Sequence, residues 1–364
     1  MQRFTAVAAD DGGGWELARG KLRGLALTVD AVRRSTNERV VATRAFTRTT
    51  TEVRLSGSGA EGAGEDVALA ADDHARWPDD GALLELLGPA GTLGAALDAL
   101  DSAELWTDEP SGELARRQRR WALDSAVLDL ALRQAGAALA DVVGRPARPV
   151  RFVASFRLGE PPSFDRVRER LEAHPGLRLK LDPTSDWPPE LFEAVAATGA
   201  VDVIDLKGAY RGTMVDQEPD PVLYRRAAEA FPNALIEDPA LDEPETAAAL
   251  EGHTDRIAWD APVRSAADLD ALPAPPAAIN VKPSRIGALG DLLGLYEECE
   301  RRGIPTYGGG QFELGVGRRQ LQALAASFHP DAPNDVAPTE YNEPRPDPGL
   351  PRSPLPAPAG PGFG

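Results

Sequence analysis

Five charged residues carry most of the chemical information in this sequence: Lys180, Asp205, Glu237, Asp260 and Lys282. Each sits at or near the end of a short apolar run, in LRLKLD, VDVIDLKG, ALIEDP, RIAWDAP and AINVKP, and successive members are 25, 32, 23 and 22 residues apart. That interval is about one strand plus one helix, which places the five at the ends of consecutive parallel strands. Three carboxylates on adjacent strands converge on one point and suit a hard cation such as Mg2+ in oxygen coordination. A lysine on each side would then face the two faces of a bound substrate. Pro283 disfavours helical geometry at Lys282, so the strand should stay extended through that lysine.

Each residue also has an ordinary structural reading. Asp205 could cap a following helix. Glu237-Asp238-Pro239 and Asp260-Ala261-Pro262 could be strand-exit turns, and Lys180 a surface lysine at a strand end. Asp182, in LKLDPTSDW, competes with Asp205 as the first acid. Asp205 is preferred because it leaves Lys180 its own strand and keeps one acid per strand. The ordered array carries the argument.

The elements that must position these groups follow from periodicity. Beyond Pro149, eight short apolar runs recur, from VRFVASF to IPTYGGG and DVAPTEYN, and most gaps hold an amphipathic helix such as PPELFEAVAATG. Eight strands alternating with helices predict a (β/α) barrel. Before it, KLRGLALTVDAV, ERVVATRAFTRTT and TEVRLSGSGAEGAGEDV alternate as an antiparallel meander would. From Leu83 to about Leu139 the period becomes helical, with Leu123, Ala126, Val127, Leu130 and Ala131 on one face. Strands first and helices after make an α+β unit. The tail beyond Asn342 is rich in proline and glycine, and composition alone makes it extended or disordered.

Composition narrows the function. The chain has 364 residues, 42% hydrophobic and 26% charged, with a formal charge of −18. Such acidity argues against nucleic acid or an anionic membrane as partner, since neutralising phosphates needs clustered Lys and Arg. One cysteine, Cys299, excludes an internal disulfide and a multi-cysteine metal site. No apolar run approaches the roughly 18 residues of a membrane span, and no signal-peptide core is present at the N-terminus. The expectation is a soluble cytoplasmic protein acting on a small molecule.

Several segments resemble the enolase superfamily, in particular its muconate-cycloisomerase-like subgroup. GAGEDV (Gly62 to Val67) resembles the Gly-x-Gly-Glu ending the family's capping-domain meander, and IDLKGAY resembles Asp-Ala-Asn-Gly-Ala-Trp, with Asp205, Gly208 and Ala209 matching. LIEDP resembles Val/Ile-Glu-Gln-Pro, IAWDAP the strand of the third metal acid, and VKPSRIG, with Arg285, the Lys-x-x-Arg-x-Gly-Gly element. YGGGQFELGVG, which carries Glu313, is similar to Tyr-Gly-Gly-Thr-Met-Leu-Glu-Gly, and PAPAGPGFG to Pro-Gly-Pro-Gly-Leu-Gly. The resemblance covers almost the whole chain.

It implies a modified (β/α)8 TIM-type barrel, (β/α)7β, over 146–342, an N-terminal α+β capping domain over 1–145, and a segment 343–364 returning to the cap. It implies removal of the proton α to a substrate carboxylate, giving an enolate held by Mg2+, with Mn2+ as the alternative ion. Asp205, Glu237 and Asp260 would hold the metal. Lys180 and Lys282 would be the acid/base pair, with pKa values lowered by desolvation and neighbouring cations. The outcome could be cycloisomerisation, o-succinylbenzoate-synthase-like dehydration, or racemisation or epimerisation of a small carboxylate. Homo-oligomers are common in the family.

Three positions depart from the family pattern. Arg178 stands where Lys-x-Lys has its first lysine, and it would keep local positive charge without titrating. Lys207 replaces an asparagine and Asp238 a glutamine. Arg285, Glu313, and Glu340 as the end of an eighth strand, are further candidates to bond substrate or a catalytic lysine. None of His74, His174, His253 and His329 falls on the seventh strand, which argues against a mandelate-racemase-like sugar-acid dehydratase; His329 stands nearest the eighth. YGGGQ could cradle a phosphate or allow close packing beside the substrate. The loops about Gly12 to Trp15 and RRSTNER (Arg33 to Arg39) are candidates to select the substrate. A barrel retained for binding without turnover is the alternative from another class.

Overall fold

The computed structural model of the chain describes residues 13–41, 46–213, 215–343 and 345–364. A first helix, Gly13–Arg23, buries Trp15, Ala18 and Leu22 along one face. The meander was expected to begin at Lys21, but three apolar residues at helical spacing keep the chain helical through Arg23. Gly12, part of the first candidate loop, lies outside the described residues, and Trp15 is core.

Three antiparallel strands follow: β1 (Ala31–Val41), β2 (Phe46–Gly57) and β3 (Ala60–Asp66), in the order β1-β2-β3. Ser58 and Gly59 join the last two with φ of 48° and 75°, the pair of left-handed residues a tight hairpin requires. The second candidate loop, Arg33 to Arg39, is the interior of β1, with Arg33 opposite Arg54 and Arg39 opposite Arg48. Its polar residues alternate across a paired strand, so it is not a turn.

The long helix Glu113–Gln134 packs on this sheet. It approaches closely because a Cβ on Gly64 would lie 1.9 Å from the Ala122 carbonyl oxygen, and one on Gly62 2.2 Å from the Leu130 nitrogen. Glycine at both positions is a steric requirement of that contact.

The second layer system is a parallel sheet of seven strands: β4 (Val153–Phe156), β5 (Arg178–Leu181), β6 (Val201–Asp205), β7 (Leu235–Glu237), β8 (Ile257–Trp259), β9 (Ala278–Val281) and β10 (Thr306–Gly308). They pair in sequence order. Helices on the outside link them, and three of these, Pro189–Ala197, Pro221–Ala230 and Pro244–Ala249, start with proline at the position where its missing N–H costs nothing. The expected eighth strand is reduced to two parallel bridges, Asn334 to Phe152 and Asp335 to Gly309. These bridges curl the sheet shut. Pro330, Pro333 and Pro338 surround them and lack the N–H groups that a longer ladder would need.

Inside the barrel, Val203, Leu235, Ala258, Ala278, Tyr307 and Ala332 form an apolar floor. Two residues further along the chain stand Asp205, Glu237, Asp260 and Asn280. The period-two alternation of a strand therefore lifts the polar residues directly above the floor. Two larger apolar clusters surround the barrel, and one of them is continuous with the core of the N-terminal domain. The buried Glu65 carboxylate at the end of β3 accepts the backbone N–H groups of Leu314, Gly315 and Gly317, at 2.7–3.1 Å, where helix Val316–Phe328 begins. That anchor uses the exposed N–H groups and positive end of a helix. Phe363 is fully buried against Trp121, and its N–H donates to Asp129 at 2.7 Å. No described helix is long and apolar enough to cross a membrane.

Candidate active site

The strand ends bring together one buried network. Lys180 on β5 contacts Glu237 on β7, and its Nζ lies 3.2 Å from Asp205 Oδ2 on β6 and 3.8 Å from Asp335 Oδ2. Lys282, just past β9, donates to Asp260 Oδ2 at 2.7 Å. Arg285 donates to the other Asp260 oxygen. The register sets Asp205 beside Glu237 across the β6–β7 ladder, and all three carboxylates are fully buried.

Groups outside the expected set complete the network. Tyr307 donates to Glu237, and the Asn280 amide approaches both Glu237 oxygens at 3.4–3.5 Å. Tyr210 donates to Asp260 Oδ2 at 2.5 Å and accepts from Arg285 at 2.9 Å. Asp335 takes the eighth-strand position in place of Glu340, which is exposed beyond it. Tyr307 and Asn280 were available to the same alternation that identified Lys282. Asp335 opens DVAPTEYN, the run expected to form the eighth strand, but the pairing stops there, so the acid at its end is Asp335 and not Glu340.

The auxiliary candidates separate. Lys207 contacts Asp205 and lies 3.8 Å from Asp182 Oδ1, so both competing acids belong to the network. Asp238 is a brace: it accepts the N–H groups of Asp260 and Ala261 at 2.8 and 2.9 Å, and so fixes the exit of β8. Arg178 is elsewhere. A register shift between Leu179 and Lys180 leaves it paired with Asp202 and the Gly199 carbonyl, half-buried, at the opposite end of β5. Glu313 is buried and caps the glycine turn through the Gln311 N–H at 2.8 Å. His329 is buried between Tyr296 and Asn334 and supports the eighth segment. The glycines of YGGG serve close approach: a Cβ on Gly309 would lie 2.5 Å from Asn280 Oδ1 and 2.9 Å from Lys282 Cε.

Electrostatics reverse one expectation. Burial works to lower the Lys180 ammonium, but Glu237, Asp205, Asp335 and Asp260 outweigh it and hold its pKa well above normal. Lys207 shares Asp205 with Lys180 and is the nearby cation, while Arg178 does not reach the site, so the four acids prevail. Burial, with Asp205 and Asp260 nearby, keeps Glu237 up at about 8 despite Lys180. Burial and the same two acids keep Asp238 at about 7. Asp205 and Asp260 are also pushed up by burial, yet their lysine and arginine partners hold both below the usual carboxylate range.

These residues fit a divalent cation in chemistry and in charge. The donors are carboxylate oxygens on three adjacent strands. Burial and the neighbouring acids raise Glu237 and Asp238, so added positive charge at this cluster is favoured. As the side chains stand, the ammonium groups lie on those oxygens, and no three acids among the described residues are arranged to hold a metal.

Comparison with known proteins agrees with the fold. Residues 146–343 match the C-terminal domain, and residues 20–142 the N-terminal domain, of a family described as a domain of unknown function (DUF8230). An N-succinylamino acid racemase from Amycolatopsis sp is 31% identical over 329 residues, 84% of this chain and 83% of that protein. An o-succinylbenzoate synthase from Geobacillus stearothermophilus is 28% identical over 232 residues; the match spans 60% of this chain and 59% of that one. Among solved structures, a dipeptide epimerase from Enterococcus faecalis V583 superposes with a TM-score of 0.62 at 17% identity, over 93% of this chain and 99% of that one. A dipeptide epimerase from Methylococcus capsulatus, complexed with Mg and the dipeptide L-Arg-D-Lys, gives 0.61 at 20% identity, over 85% and 90%. The structural neighbours share the fold, and the family matches and curated homologues place this chain in the DUF8230 family, within the enolase superfamily and among homologues named N-succinylamino acid racemase and o-succinylbenzoate synthase.

Proposed function

We propose that this chain is a racemase or epimerase that removes and returns the proton α to the carboxylate of an N-acylated amino acid or a dipeptide. The observation that carries the reading is the pair of buried lysines, Lys180 and Lys282, at the two ends of the arc of Asp205, Glu237 and Asp260. An acid/base group on either side of one carbon is what inversion requires, since one takes the proton and the other delivers it.

Asp205, Glu237 and Asp260 would hold Mg2+, with Mn2+ as the alternative. When bound, such an ion supplies the charge that offsets the second negative charge developing on the substrate carboxylate. The chain's own residues do the rest. Lys180 is held as an ammonium by the surrounding acids, with the ionised Asp205 beside it, so it is poised as the proton donor. It becomes a base only when the negative charge around it is neutralised by another cation. Lys282 is pressed against Gly309 and held by Asp260, which restricts its reach to one side of the barrel mouth. Tyr210 and Arg285 engage the two Asp260 oxygens and each other, and so orient that carboxylate.

A second reading, o-succinylbenzoate-synthase-like dehydration, uses the same proton removal and is favoured by the match to that enzyme. Incubating the protein with N-acylamino acids and dipeptides in deuterated water with Mg2+, and following the α-proton by NMR, tests both. Lys180→Ala and Lys282→Ala are each expected to slow exchange by about a hundredfold or more. Exchange at the unaltered rate in both variants would exclude the two-base assignment.

A further inference from the structure

The first residues past β6 fold back onto the acid that ends it. Lys207 donates from its backbone to Asp205 Oδ1 at 3.2 Å and from its ammonium to Asp205 Oδ2, so one residue engages both oxygens of one acid. It does so from a left-handed backbone with φ of 57°, unusual for lysine. That conformation is pinned on both sides. Leu206 donates to the Glu237 carbonyl at 2.9 Å and Gly208 to the Asp238 carbonyl at 2.8 Å. Gly208 lies so close to the next strand exit that a Cβ would meet the Ala240 nitrogen at 2.3 Å. The ammonium therefore has little choice of direction, and only 7% of the residue is exposed. Two carboxylates are within its reach: Asp205, in contact, and Asp182, with Oδ1 at 3.8 Å.

The geometry points to Lys207 as a tethered cation that competes with the divalent ion for Asp205 and moves to Asp182 when the ion binds. A charge already seated on one acid must leave before a metal can use that acid, and two positive charges at a few ångströms repel strongly in a buried site. Asp182, which already meets Arg157 Nε at 3.4 Å through Oδ2, gives the displaced ammonium a second carboxylate to share inside the protein, so loading is a transfer between two neighbouring acids. Lys207 then sets a weak affinity for the free ion.

This inference rests on Asp205, Glu237 and Asp260 being the metal acids. The test is a double-mutant cycle on Lys207 and Asp182, with Mn2+ binding followed by electron paramagnetic resonance and Mg2+ binding by calorimetry. Lys207→Asn is expected to tighten Mn2+ binding at least about tenfold. Asp182→Asn is expected to weaken it about three- to tenfold in the parent protein, but less than about twofold in the Lys207→Asn background. That loss of effect separates transfer of the ammonium from a general change in local charge, which would give additive effects. Should Lys207→Asn fail to fold, Lys207→Gln and Lys207→Met provide the same comparison. Mn2+ binding to the parent protein that Lys207→Asn leaves unchanged, or strictly additive effects, overturns the competition and leaves the metal assignment standing. Absence of Mn2+ binding in the parent and in every Lys207 variant removes the metal assignment and this inference with it.

Discussion

At the scale of single residues, the site is a set of opposite charges whose balance is nearly but not fully met. Burial, with Asp205 and Asp260 nearby, holds Glu237 at about 8 and Asp238 at about 7. A carboxyl whose folded value is raised stabilises the fold fully below its unfolded value, and that contribution is lost as pH rises through the folded value. The metal-free protein is therefore expected to melt at a lower temperature at pH 9 than at pH 6, and Glu237→Gln should flatten most of that slope. Mg2+ needs the ionised carboxylate, so its binding near pH 7 should release protons, detectable by calorimetry in buffers of different ionisation enthalpy. The residues that alternation made visible were Asp205, Glu237, Asp260 and Lys282, because each follows a β-branched or aliphatic run by a fixed step. Tyr210 and Lys207 were harder to place. They act from a loop, where no period says which way a side chain turns, and the positive φ of Lys207 is a tertiary fact that no local pattern announces.

Among the elements, strand and helix periods revealed nearly the whole plan, and their failures are instructive. The stretch before β1 reads as alternating only if Trp15 and Ala18 are ignored; with them it is the helix that forms. The eighth barrel strand shrank to Asn334 and Asp335 because prolines on both sides remove ladder donors. What a period cannot show is distance between elements, and the glycines of β3 supply it. Gly64→Ala would place a methyl 1.9 Å from the Ala122 carbonyl oxygen and 2.5 Å from Ser125 Oγ. The long helix would have to move away from the sheet. We expect that substitution to cost about 2–4 kcal/mol in urea unfolding, as overpacking of a core does. Gly20→Ala, in the first helix with nothing within 4 Å of the new methyl, should instead be neutral or stabilise by up to about 1 kcal/mol.

Over the whole molecule, the cap and barrel are joined by buried polar anchors as much as by apolar packing. Glu65 on the helix start is one anchor. Arg48 is another, with its guanidinium on the carbonyls of Val67, Ala68, Gln311 and Phe312. The last segment adds a third: Leu355 bridges to Val150 beside the barrel, and Phe363 closes over Trp121 in the cap. Phe363→Ala should lower stability by about 3–5 kcal/mol, read from the midpoint of urea unfolding. Proline and glycine content alone gave no hint of that order, since the tail is held by one aromatic side chain and a few backbone bonds. Its position also dictates a timetable. Asp129 and the N–H it accepts from Phe363 are 234 residues apart. A ribosome adding about 5–20 residues per second needs on the order of ten to fifty seconds to cover that stretch. For that interval the N-terminal domain has to exist with Trp121 uncovered, so the part of the protein made first is among the last to be finished.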